Sequence, residues 1–177
     1  MIARFRSALG RGFLASTIVA LLASTPDAAR AQLAGAGFGG STGVAGETVA
    51  VGEPNSLRRP GTVYLYRATG SGWDEAGRLV ASDGTPGDRF GEALVASGDR
   101  IVVGASRADD GRGAAYVFEL RDGTWVETAK LSDPEGEPGA MFGISVAMEN
   151  ELITVATEDG AVLSWVGVVE GFVGPAS

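Results

Sequence analysis

The dipeptide Phe-Gly occurs at Phe38-Gly39, Phe90-Gly91 and Phe142-Gly143, at a constant spacing of 52 residues. Other landmarks keep the same step. Gly52 matches Gly104, Gly61 matches Gly113, Tyr64 matches Tyr116, Trp73 matches Trp125 and Leu79 matches Leu131. Gly84, Pro86 and Gly87 match Gly136, Pro138 and Gly139. A fixed period of this length constrains the fold more than any other feature. It requires tandem copies of one small unit, and each unit buries its apolar face only by stacking on a neighbour. The copies span 38–89, 90–141 and 142–177. The third is shortened, with Ser106 to Gly113 contracted to Thr157 to Gly160.

Within a copy, short apolar runs alternate with tight-turn signals. In the middle copy Gly91 to Ala96 reads as a first strand and Ser97-Gly98-Asp99 as a turn. Arg100 to Ala105 follows, and its run Ile101-Val102-Val103 is apolar on both faces, as expected of a strand covered on both sides. Ala114 to Leu120 is rich in aromatic and β-branched residues. Asp122-Gly123 signals a hairpin. Thr124 to Leu131 alternates, with Trp125, Glu127, Ala129 and Leu131 expected on one side and Val126, Thr128 and Lys130 on the other. No sustained helical periodicity appears in the repeats. The expected fold is all-β, with about three four-stranded antiparallel blades of the β-propeller type in an incomplete propeller.

The N-terminus differs from the repeats. Arg4, Arg6 and Arg11 precede an apolar run from Phe13 to Ala23, Pro26 breaks it, and Ala29-Arg30-Ala31 has the A-x-A form of a cleavage site. Residues 1–31 are therefore expected to be a helical signal peptide and 32–177 the mature repeat region, secreted or held in the cell envelope. The apolar run is too short to span a bilayer as a helix. The chain contains no cysteine and no histidine, which excludes disulfides, zinc sites of the Cys/His type and triads with a histidine base. Its net charge is −8, and loss of the arginine-bearing leader makes it more negative. Phosphate backbones and anionic lipid are disfavoured partners for such a surface.

Phe90-Gly91, the run Ile101 to Ala105 and Gly113 to Phe118 resemble the FG-GAP repeat of integrin-α-type β-propellers, in the form found in bacterial secreted proteins. Phe38-Gly39 with Val51-Gly52, and Phe142-Gly143 with Val155-Ala156, repeat the pattern more weakly. The resemblance implies a propeller used for protein or glycan contact, often in adhesion. Many such repeats carry a calcium loop between their first two strands. Here that connection is only Gly46-Glu47, Ser97-Gly98-Asp99 or Glu149-Asn150, too short for the six to eight oxygen ligands that calcium takes. No cofactor is expected, and the calcium sites are not carried over. A closed propeller needs about four to eight blades. Three blades therefore suggest pairing of two chains to complete a ring, an incomplete or degenerate propeller fragment with a structural role in the envelope, or an open single-chain fan of three blades.

In up-and-down blades the connection between strands two and three shares a rim with the crossover to the next blade. The longer loops all fall on that rim, where repeat folds carry function. The candidate binding rim comprises Arg58, Arg59, Arg107, Asp109, Asp110, Arg112, Glu135, Glu137, Glu158 and Asp159. Asp109-Asp110-Gly111 resembles a metal loop only faintly, so Asp109 and Asp110 are weak cation candidates. No nucleophile elbow, P-loop or dinucleotide fingerprint occurs. The expectation is a non-catalytic binding or adhesion module. A carbohydrate-active enzyme using a pair of rim carboxylates is the less favoured reading.

Overall fold

The computed structural model describes residues 37–54 and 59–166. The expected signal peptide, Arg58 and the tail of the third copy lie outside them. The first sheet is β1 (Thr42–Ala45), β2 (Thr48–Glu53), β3 (Thr62–Thr69) and β4 (Gly72–Leu79). The second is β5 (Ala93–Ser97), β6 (Arg100–Ala105), β7 (Ala114–Arg121) and β8 (Thr124–Leu131). The third has three described strands, β9 (Ser145–Glu149), β10 (Leu152–Ala156) and β11 (Val162–Val166). In each sheet the strands run antiparallel in sequence order. These are the expected blades, with a fourth strand of the last one not among the described residues.

Local chemistry accounts for the hairpins. The first two strands of each blade are joined by two residues, the first of them left-handed: Gly46, Gly98 and Asn150. Asp122-Gly123 closes the β7–β8 hairpin with both residues at positive φ, as a type I′ turn requires. The first strand of the middle blade starts at Ala93, not at Gly91. Arg89 and Gly91 hold positive φ, and the Glu92 amide donates to the Arg89 carbonyl, so a tight turn occupies the Phe-Gly segment.

The fourth strand corrects the simple alternation. A β-bulge sets Val117 opposite Ala129 but Phe118 opposite Glu127, leaving Thr128 as the extra residue. Trp125 and Glu127 therefore share a face with Lys130, and Ala129 and Leu131 take the opposite face with Val117. The first blade has the same irregularity between Leu65 and Tyr66, with Ala76 as the extra residue.

The sheets stack broadside. One core lies between the first and second blades, where Ala50, Val63, Leu65 and Leu79 meet Phe90, Ile101, Val103, Tyr116 and Phe118. A second core lies between the second and third blades, where Val102, Ala115, Val117 and Leu131 meet Phe142, Ile153, Val155, Leu163 and Trp165. Ile101, Val102 and Val103 are all fully buried because the middle sheet is covered on both faces. The innermost strands β1, β5 and β9 lie beside one another, so the blades fan out from one edge. Phe90 packs edge-on against Tyr116 and Phe118, and Phe142 packs edge-on against Trp165.

Candidate functional site

The β6–β7 loop of the middle blade and the two crossovers meet on one rim, as the strand order requires. Backbone hydrogen bonds bind them together. The Arg107 amide donates to Asp88 O, Gly139 and Met141 donate to Gly111 O, and Glu158 donates to Ala140 O. Ala108–Gly111 makes a single tight turn, and Asp109 (φ 52°, ψ 52°) and Asp110 (φ 58°, ψ 35°) both adopt the left-handed conformation. Aspartate tolerates that region better than most side chains. Between these loops lies a cleft of about 620 Å³, lined by the 83–88 crossover, Arg107 to Gly111, Tyr116, Gly139 and Met141.

Beside the cleft a cation is held between Asp83 and Asp109, two of the carboxylates that line it. Lys130 Nζ lies 2.7 Å from Asp83 Oδ2 and 2.8 Å from Asp109 Oδ2, above the ring of Tyr116. Tyr116 Oη donates to Asp83 Oδ1 at 2.8 Å. Burial and the neighbouring Asp83 carboxylate push the Tyr116 hydroxyl far above its ordinary value, so it stays a donor. Burial works against charge on Asp83, but the Lys130 and Tyr116 hydrogen bonds outweigh it and hold its carboxyl below the ordinary value. Burial opposes the Lys130 charge too, and the two aspartates overcome that and raise it. Asp88 is taken up locally, accepting from the Thr85 amide and hydroxyl.

The expected rim residues separate into groups. Arg107, Asp109 and Asp110 line the cleft. Arg107 and Asp110 make no side-chain hydrogen bond or ion pair among the described residues, and both are exposed. Arg112 is exposed at the end of the same loop, where its carbonyl accepts from Phe142 N. Arg59 lies at the first blade, paired with Glu53 at 2.8 Å. Glu135 and Glu137 sit in the second crossover, and Glu158 and Asp159 in the β10–β11 turn; all four lie outside the cleft. Asp109 already has a cation in Lys130. No group of three or more His, Cys, Asp or Glu side chains is placed to hold a metal among the described residues. Lys130 and Tyr116 lie on strands, and apart from the match of Tyr116 to Tyr64 no spacing in the chain marks them as rim residues.

The family model for the FG-GAP repeat matches residues 73–118. The chain carries an FG-GAP repeat. The matched stretch runs from the start of β4 to Phe118 in β7. The FG-GAP repeat is thus out of phase with the blade, joining the outer strand of one sheet to the three inner strands of the next. Its Phe90-Gly91 centre is the joint between the two sheets. No curated protein matches the sequence. Among solved structures, the chain is similar to a computationally designed protein, Ika4, at 16% identity over 73% of this chain and 91% of that one, with a TM-score of 0.39.

Proposed function

We propose that this FG-GAP repeat protein is a non-catalytic binding module of the cell exterior or envelope, contacting a protein or glycan through the rim of its middle blade. One observation carries the reading. Three loops converge on a cleft of about 620 Å³, and Arg107 and Asp110 border it with no side-chain partner among the described residues. A polar cleft presenting both signs of charge on a rigid stack of sheets suits recognition of a polar ligand by hydrogen bonds. The cluster beside it favours support over catalysis, because Lys130, Asp83 and Tyr116 spend their hydrogen bonds on one another. The leader-like N-terminus supports an extracytoplasmic location.

A glycan array and a pull-down from envelope material test the reading with wild type and an Arg107→Ala/Asp110→Ala variant. The expected result is a retained glycan or protein whose binding falls by about tenfold or more in the variant, the loss of one to two kcal/mol typical of a central polar contact. Ligands held equally by both proteins would place recognition elsewhere and refute the rim.

A further inference from the structure

Among the described residues, no sheet covers the face of the first blade that matches the face the second blade buries. Val44, Val49, Tyr64 and Tyr66 match Ala96, Ile101, Tyr116 and Phe118 in the repeat, and those four pack in the core between the first two blades. On the first blade Val44 is 62% exposed and Trp73 48%. The Tyr66 hydroxyl, which Phe118 lacks, is buried within the chain and has no hydrogen-bond partner among the described residues.

The far face of the third blade is the complementary end. By the same repeat, Ala147, Thr154 and Ser164 stand where Val95, Val102 and Val117 of the second blade pack on the third. Here Thr154 and Ser164 place two hydroxyls 3.1 Å apart at the centre of the face.

We propose that a second copy of this chain covers the first blade, seating the far face of its third blade there, so that two chains close one ring of six blades. The proposed joint continues the interface already repeated twice inside the chain. At the inner strands, the Cβ position of Gly43 lies 2.9 Å from Ala96 Cβ at the first joint. Val95 and Met148 hold the matching positions at the second. The third joint would pair Ala147 with Val44, whose combined volume falls between those two. Six blades fall within the range of closed propellers, and closure leaves no sheet face open. The proposal is independent of what the rim binds.

Light scattering of the purified chain at tens of micromolar, with the single variants Val44→Asp and Ala147→Arg, tests it. Both positions are exposed, and circular dichroism checks that the variants fold. Wild type is expected at twice the chain mass and each variant at the chain mass. An equimolar mixture of the variants should regain a two-chain species, because one joint keeps both of its native faces. A monomeric wild type overturns the proposal. So does an Ala147→Arg dimer beside a Val44→Asp monomer, which would mean that two first blades pair face to face.

Discussion

Gly113 and Gly123 both hold a positive φ, yet an added methyl group meets different surroundings at the two. At Gly113 (φ 86°) the new Cβ would lie 2.0 Å from the Phe142 carbonyl oxygen on the next blade. Gly61 meets Phe90 O at 2.1 Å in the matching place of the first blade, so the repeated glycine marks where one blade touches the backbone of the next. At Gly123 (φ 79°), in the hairpin turn, nothing lies within 4 Å. Gly123→Ala should therefore cost only the left-handed penalty, about 1–2 kcal/mol. Gly113→Ala adds overpacking against a backbone that cannot yield, for a total of at least about 3 kcal/mol. Urea unfolding of both variants checks the difference. Equal losses would mean that the blades do not approach as closely as described.

At the scale of elements, the crossover from β4 to β5 is fastened to the middle blade by the fourth strand of that blade. The Ser82 amide and hydroxyl both donate to Glu127 at 2.8 Å, and Asp83 receives Lys130. The matching residues of the first blade, Glu75 and Arg78, have no preceding crossover among the described residues and pair with each other instead. The Asp83–Lys130 pair is partly exposed, so its worth is at most about 1 kcal/mol. Its pH dependence has a definite sign. Asp83 has a depressed pKa in the folded state, so its contribution is present above its ordinary value of 3.8 and is lost as pH falls through the folded value. Lys130 has a raised one, so its contribution holds below 10.5 and is lost as pH rises through the folded value. Lys130→Met should therefore lower stability at neutral pH by up to about 1 kcal/mol, with the gap to wild type narrowing below about pH 3. Urea titrations at the two pH values check this; a gap that stays constant would show that the pair does not contribute.

Much of this level was legible in the sequence. β6 and β8 have the bounds that their apolar runs and turn signals predict, because the Gly98-Asp99 and Asp122-Gly123 turns fix where each strand starts; Ser97, read as part of the first turn, belongs to β5. The bulge at Thr128 was not legible. Trp125, Glu127, Ala129 and Leu131 look like uninterrupted alternation, and only the pairing with β7 reveals the extra residue. Likewise, acidic residues on the rim could be placed from strand order, since connections of alternate strands share an end. That Lys130 reaches between Asp83 and Asp109 depends on how the crossover folds back over β8, which no spacing in the chain records.

For the whole molecule, the 52-residue period is a physical repeat of one joint. Bulky side chains on one sheet face, Phe90, Tyr116 and Phe118, press on smaller ones, Ala50, Val63 and Leu65. The same rule then makes the middle strand apolar on both sides and leaves unlike faces at the two ends of the stack. The rim cleft, the crossover clasp and the open first blade all follow from that stacking. It can be measured in a chain that has no cysteine of its own. Gly43 and Ala96 lie on facing sheets with Cβ positions 2.9 Å apart, and a small shift brings them to the roughly 3.5–4.5 Å of a disulfide. In a Gly43→Cys/Ala96→Cys variant, mild oxidation should form a disulfide within one chain, detected by mass spectrometry after alkylation. Two thiols that stay reduced and free to alkylate in the folded protein would contradict the stacking of the blades.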